Sequence, residues 1–98
     1  MDIEKIKEDW RQRGFSCDEW VDPPGKVWED YVHDVDEVFM VREGVMELLL
    51  AGRTWRPAAG EEVLIPAKAV HSVRNVGGAT ARWLYGYKKD RRNPDACL

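Results

Sequence analysis

Three residues of this 98-residue chain are best suited to chemistry: His33, Glu37 and His71. The two histidines are its only ones. Imidazole and carboxylate groups in a two-plus-one set can hold a divalent metal and leave coordination positions open. Such a set suits Fe(II) and equally Zn, Mn, Ni or Cu, with one face free for water, dioxygen or a chelating small molecule. The opposing reading makes both imidazoles polar side chains of a hydrated pocket. Other chemistry has little to stand on. The sequence contains no Gly-x-Ser-x-Gly elbow, no phosphate-binding glycine loop and no His-Glu-x-x-His, and neither Cys17 nor Cys97 sits in a cationic setting that would mark a nucleophile.

The elements that must position these residues can be read from periodicity and turn signals. Ile3, Ile6 and Trp10 recur at helical spacing between charged residues, which predicts a short amphipathic helix over 2–13 ended by Gly14. Beyond it the pattern predicts strands over 15–21, 27–33, 37–42, 45–51, 54–56, 62–65, 71–75 and 81–88. Turns fall at Asp22-Pro23-Pro24-Gly25, Glu43-Gly44, Gly52-Arg53, Pro57 to Gly60, Pro66 and Gly77-Gly78. Many short strands at this spacing predict an all-β sandwich or barrel.

Alternation along a strand puts Tyr31, His33 and Glu37 on one face, so His71 must arrive from a neighbouring strand. Phe39, Val41, Val63, Ile65 and Val73 are the expected interior. Asp34 and Asp36 fall on the other parity and read as turn and surface carboxylates, and Glu47 and Glu62 as surface. Trp28 and Trp55 read as packing residues, either of them able to close a pocket mouth. The series Trp83, Tyr85 and Tyr87 reads as substrate-pocket lining, core or dimer interface, with interface preferred for part of it. Arg74 and Arg82 are the anchors available to an acidic ligand.

Bulk properties narrow the class of partner. A chain of 98 residues fits one domain, and pairing into a homodimer would hide further apolar surface. The net charge of −3 and pI near 5.4 argue against general nucleic-acid binding. The basic run of Lys88, Lys89, Arg91 and Arg92 reads as a solvated tail. A polar N-terminus and the lack of a long apolar run give neither a signal peptide nor a membrane span. With two isolated cysteines the expectation is a cytoplasmic protein with reduced thiols.

The spacing of the candidate ligands carries a resemblance. Gly25, Tyr31, His33, Glu37 and Gly44 stand in the register of the first cupin motif, and Gly60, Pro66, Lys68, His71 and Asn75 in that of the second. Eight of these ten positions carry the motif residue, and fifteen residues separate Gly44 from Gly60. The chain therefore resembles a small single-domain cupin. The resemblance implies a double-stranded β-helix (jelly-roll) barrel over 15–98, with residues 1–14 forming a helix packed on it. It also implies a divalent transition metal held by His33, Glu37 and His71, and a small-molecule ligand.

Two positions depart from the motif. Lys68 replaces a glycine, which predicts a differently shaped turn. Tyr31 replaces a metal-binding histidine. Its phenol is either a ligand or a hydrogen-bond donor to a bound water or substrate. Because a phenol titrates near 10 and binds metal poorly while neutral, the donor role is favoured, making Tyr31 the candidate catalytic residue. The family implies either a metal-dependent enzyme, such as an oxygenase or isomerase, or a non-catalytic ligand-binding or sensing domain.

Overall fold

The computed structural model describes residues 2–89; Arg91, Arg92 and Cys97 lie outside them. One helix, α1 (Ile3–Gln12), precedes eight strands: β1 (Asp18–Asp22), β2 (Val27–Tyr31), β3 (Glu37–Glu43), β4 (Met46–Leu50), β5 (Arg53–Trp55), β6 (Glu62–Ile65), β7 (His71–Asn75) and β8 (Ala81–Tyr87). They form two four-stranded antiparallel sheets, ordered β1-β8-β3-β6 and β2-β7-β4-β5. This is the expected all-β jelly-roll, a double sheet that is not strictly closed.

Alternation explains how the first sheet is covered on both sides. The odd residues of β3, Phe39 and Val41, point between the sheets and pack with Val63, Ile65, Leu48, Met46 and Val73. The even residues Val38 and Met40 point outward and pack with Leu84, Phe15 and Trp10. The outer face of an antiparallel sheet is commonly wet, and here α1 dries part of it. Asp2 caps the helix, its side chain accepting from the Lys5 N–H, and Trp10 is its fully buried anchor. The Trp10 indole donates to Glu62 at 2.9 Å, and Arg13 grips the same carboxylate at 2.8 and 2.7 Å. Glu62 is thus a clamp between helix and barrel, more than the plain surface residue expected. The helix lies close because β8 carries Gly86, where a Cβ would stand 1.9 Å from the Ser16 carbonyl oxygen.

Two strand boundaries differ from expectation. Phe15 makes only an isolated bridge to Lys88, and the first strand begins at Asp18. More consequentially, β2 stops at Tyr31, before His33. The ladder to β7 shifts register between Trp28 and Tyr31, where Asp30 adopts a positive φ of 56°. Such a bulge reverses the facing of the residues beyond it, so simple parity does not hold between Trp28 and Tyr31.

The motif positions act as fasteners. Lys68 takes a φ of 69°, the left-handed conformation that a glycine adopts without cost. The turn therefore keeps its shape, contrary to the expectation from the substitution. From that turn the Lys68 N–H donates to the His33 carbonyl at 2.7 Å, and the Lys68 ammonium pairs with Asp34. The Asp36 side chain accepts from the Ala67 N–H at 2.7 Å, and its carbonyl from the Lys88 N–H at 2.8 Å. Asn75 donates to the carbonyls of Pro23 and Ala79 at 3.1 and 2.7 Å, which ties the start of β2 to the loop before β8.

Candidate metal centre

His33, Glu37 and His71 meet between the sheets at one end of the barrel. Each offers a ligand atom within 4.8 Å of the others'. Glu37 is the first inward residue of β3, placed by register between Tyr87 of β8 and Ile65 of β6. His71 opens β7, where it pairs with Tyr31 and Leu50. His33 comes from the β2–β3 connection, which the Lys68 and Ala67 amides hold in place.

The donor set fits a metal. Glu37 Oε1 lies 3.2 Å from His33 Nε2 and 3.4 Å from His71 Nε2. Ligands about 2.1 Å from a common ion stand roughly 3.0–3.4 Å apart at ordinary coordination angles. That oxygen is also the one buried side-chain polar atom without a hydrogen-bond partner among the described residues, and an orphaned buried acceptor calls for an explanation. His71 Nδ1 sits 3.1 Å from the Ala69 carbonyl, an arrangement that puts the proton on Nδ1 and turns the Nε2 lone pair inward. Burial pushes the His33 imidazole below its ordinary pKa, against the opposing pull of Glu37. Burial acts the same way on His71, but Glu37 and the Ala69 carbonyl outweigh it and the net direction is upward.

Above the triad lies a cavity of about 200 Å³ whose other walls are almost entirely aromatic. Tyr31 belongs to it, 40% exposed and edge-on to Trp28 at 5.7 Å. The phenol that meets a ligand is a different one: Tyr87 Oη is 3.5 Å from His33 Nε2, with the rings 4.7 Å apart. Trp83, Tyr85 and Tyr87, assigned in part to an interface, line this cavity together with Trp20 and Trp28. Trp55 does not join them; Arg53 stacks on it at 4.2 Å. Arg74 and Arg82 are also elsewhere. Arg74 is bound to Glu47, its cross-strand partner, and Arg82 to Glu19 and Glu43, so neither is an anchor in this cavity.

The residue most easily overlooked is Asp22. It reads as part of a turn, yet it is 1% exposed and accepts three indole N–H bonds, from Trp20, Trp28 and Trp83 at 2.9, 3.0 and 2.9 Å. One buried carboxylate thereby sets three walls of the cavity. The single signal in sequence was an acid beside a proline-glycine turn in a chain with five tryptophans.

The cupin domain family matches residues 19–87, well over half of the chain. This chain belongs to the cupin family. No curated protein sequence matches it. Among solved structures, this cupin is similar to the cupin domain of Cnp3 from Schizosaccharomyces pombe, with a TM-score of 0.71, 19% identity, and 79% of this chain and 57% of that one covered. It is similar to a Cupin 2 conserved barrel domain protein from Salinispora arenicola, at 0.70 and 23%, covering 81% and 66%. It is also similar to an oxalate oxidase, at 0.68 and 23%, covering 84% and 44%. This cupin thus spans less than two thirds of each of these chains, and at such identities the likeness speaks for the fold alone.

Proposed function

We propose that this cupin is a metal-dependent protein acting on a small organic molecule, with His33, Glu37 and His71 as the ligands of a divalent transition metal. The observation that carries the proposal is the buried, unpartnered Glu37 Oε1 between two inward-facing Nε2 atoms. When bound, such an ion supplies Lewis acidity and, for Fe, Mn or Cu, redox capacity. An oxygenase and an isomerase are both compatible with that set.

The chain's own residues supply the rest. Glu37 is a ligand and not a free base. The Ala69 carbonyl fixes the His71 tautomer. Tyr31 at the cavity wall and Tyr87 against His33 are the phenols able to hold a proton at a substrate oxygen.

Elemental analysis of protein purified without chelators, followed by titration with Fe(II), Mn, Zn, Ni and Cu under thermal denaturation, tests the proposal. We expect bound metal or a clear stabilisation in the wild type and neither in His71→Ala. A wild type that holds no metal above background and gains no stability from any of the five ions overturns it.

One observation favours a second reading, a binding domain without turnover. Apart from the triad and its tyrosines, the cavity lining contains no titratable side chain among the described residues, so general acid–base work has few candidates there. A small molecule that stabilises the metal-loaded protein and is recovered unchanged would decide for binding.

A further inference from the structure

We infer that the aromatic end of the cavity is a binding site for a small methylated ammonium cation. The inference goes beyond the metal proposal and does not require it. Three features of the wall carry it.

The first is ring geometry. Trp20, Trp28 and Tyr31 form one run of near-perpendicular rings, with centroids 5.9 Å apart at 78° and 5.7 Å apart at 65°. Trp83, Tyr85 and Tyr87 form a second, 5.5 Å apart at 53° and 5.8 Å apart at 65°. Both runs line the cavity, and aromatic walls of this kind are the surroundings in which quaternary ammonium groups are held.

The second is the use made of Asp22. All three indole N–H groups are directed to its carboxylate, so the tryptophans offer the cavity ring carbon and no donor. A carboxylate at the N–H edge also pushes electron density into the indole and deepens the negative potential on its face. Trp28 already holds an ammonium in this way, with Lys26 Nζ 4.5 Å from its ring centroid.

The third is charge. Among the described residues no lysine or arginine lines the cavity; Glu37 and Asp22 put negative charge at its walls, and the Lys26 ammonium on Trp28 is a positive charge beside them. An anionic ligand finds no side-chain counter-ion in this lining. A cation with methyl groups gains both the field and the apolar contact. The volume, equal to about seven waters at roughly 30 Å³ each, suits a ligand of choline size.

Calorimetric titration of the full chain, stripped with EDTA, with choline chloride and with its uncharged isostere 3,3-dimethylbutan-1-ol tests the inference. We expect choline to bind at least about tenfold more tightly than the isostere, the order of one desolvated cation–π contact. Trp28→Phe keeps an apolar ring but weakens the π face. It should cut choline affinity several-fold and leave the isostere unchanged, whereas Trp55→Ala, outside the cavity, should change neither. Far-ultraviolet circular dichroism of each variant confirms that it folds.

Three outcomes overturn the inference: no saturable choline binding, equal affinity for the two compounds, or benzyl alcohol binding more tightly than choline. Because the protein is stripped, failure of the metal proposal leaves this result untouched, and the reverse also holds.

Discussion

Asp22 and Glu37 are both carboxylates sealed inside the same barrel, 1% and 4% exposed, and they do opposite things. Asp22 collects three indole donors, while Glu37 leaves Oε1 without one. A buried charge is tolerated when donors replace its lost water, so the Asp22 corner is complete as it stands. The Glu37 corner has only the His33 and His71 imidazoles beside its Oε1, and the metal proposal rests on that difference. The lesson is that burial alone does not distinguish a structural acid from a ligand; the census of donors around it does.

Removing the saturated acid should have the largest effect. Asp22→Ala leaves buried indole N–H groups without an acceptor, at about 1–3 kcal/mol each for those that cannot reach water. We expect a loss of about 3 kcal/mol or more in urea denaturation, with altered tryptophan fluorescence. A loss under about 1 kcal/mol, the size of a single ordinary hydrogen bond, would break the contrast with Glu37.

Glu37→Gln should behave differently. Only the attraction between the carboxylate and the His71 imidazole is lost, so stability without metal should stay within about 1 kcal/mol of wild type. What should vanish is the response to metal. For wild type at a hundredfold excess over Kd that response is about 2.7 kcal/mol, roughly 10–20 °C in Tm for a chain this size. If Glu37→Gln destabilises as severely as Asp22→Ala, both acids are structural and the metal proposal loses its main support.

A third acid sharpens the scale. Glu62 is partly exposed, and the Arg13 hydrogen bonds and then the Trp10 indole hold its carboxyl below the ordinary range, against the effect of burial. A depressed carboxyl contributes stability above its unfolded value, about 4.3, and loses it as pH falls through the lower folded value. Glu62→Gln should therefore cost about 1 kcal/mol at pH 7, a figure reduced by solvent screening. The cost should fade toward zero below about pH 4. Denaturation curves of both proteins at several pH values check the sign; a difference that grows with acidity contradicts it.

The smallest effect is expected at Lys68→Gly. Relief of the positive φ of 69° is set against loss of the exposed pair with Asp34. The Tm should move by no more than the equivalent of about 0.5 kcal/mol in either direction. A larger loss would mean that the Asp34 pair, and not the backbone bond to the His33 carbonyl, fixes the loop carrying the ligand.

Much of the fold was legible because its signals are local. Turn residues and period-two alternation located the strands, and Phe39, Val41, Val63, Ile65 and Val73 are buried as expected. The triad was legible because motif spacing fixes which residues reach the same end of a barrel. Parity between Trp28 and Tyr31 was not, because the bulge at Asp30 depends on how β2 meets β7, although Tyr31, His33 and Glu37 line one cavity as their shared parity suggested. The arginines were misread for a similar reason. Arg74 faces Glu47 only once β4 and β7 are in register, and a run of sequence does not contain that pairing.

By itself, then, the sequence determined the strand order along the chain, the helix and its anchor Trp10, and the identity of His33, Glu37 and His71 as ligand-type residues at cupin spacing. These follow from short-range periodicity and from residue chemistry. The tertiary structure alone decided that Glu37 stands unpartnered, that Tyr87 is the phenol against His33, and that Asp22 gathers three tryptophans from three strands. Tyr87 and His33, and likewise Trp83 and Asp22, are far apart in sequence and meet only once the strands are placed. Only the pairing and packing of the two sheets fixes such distances.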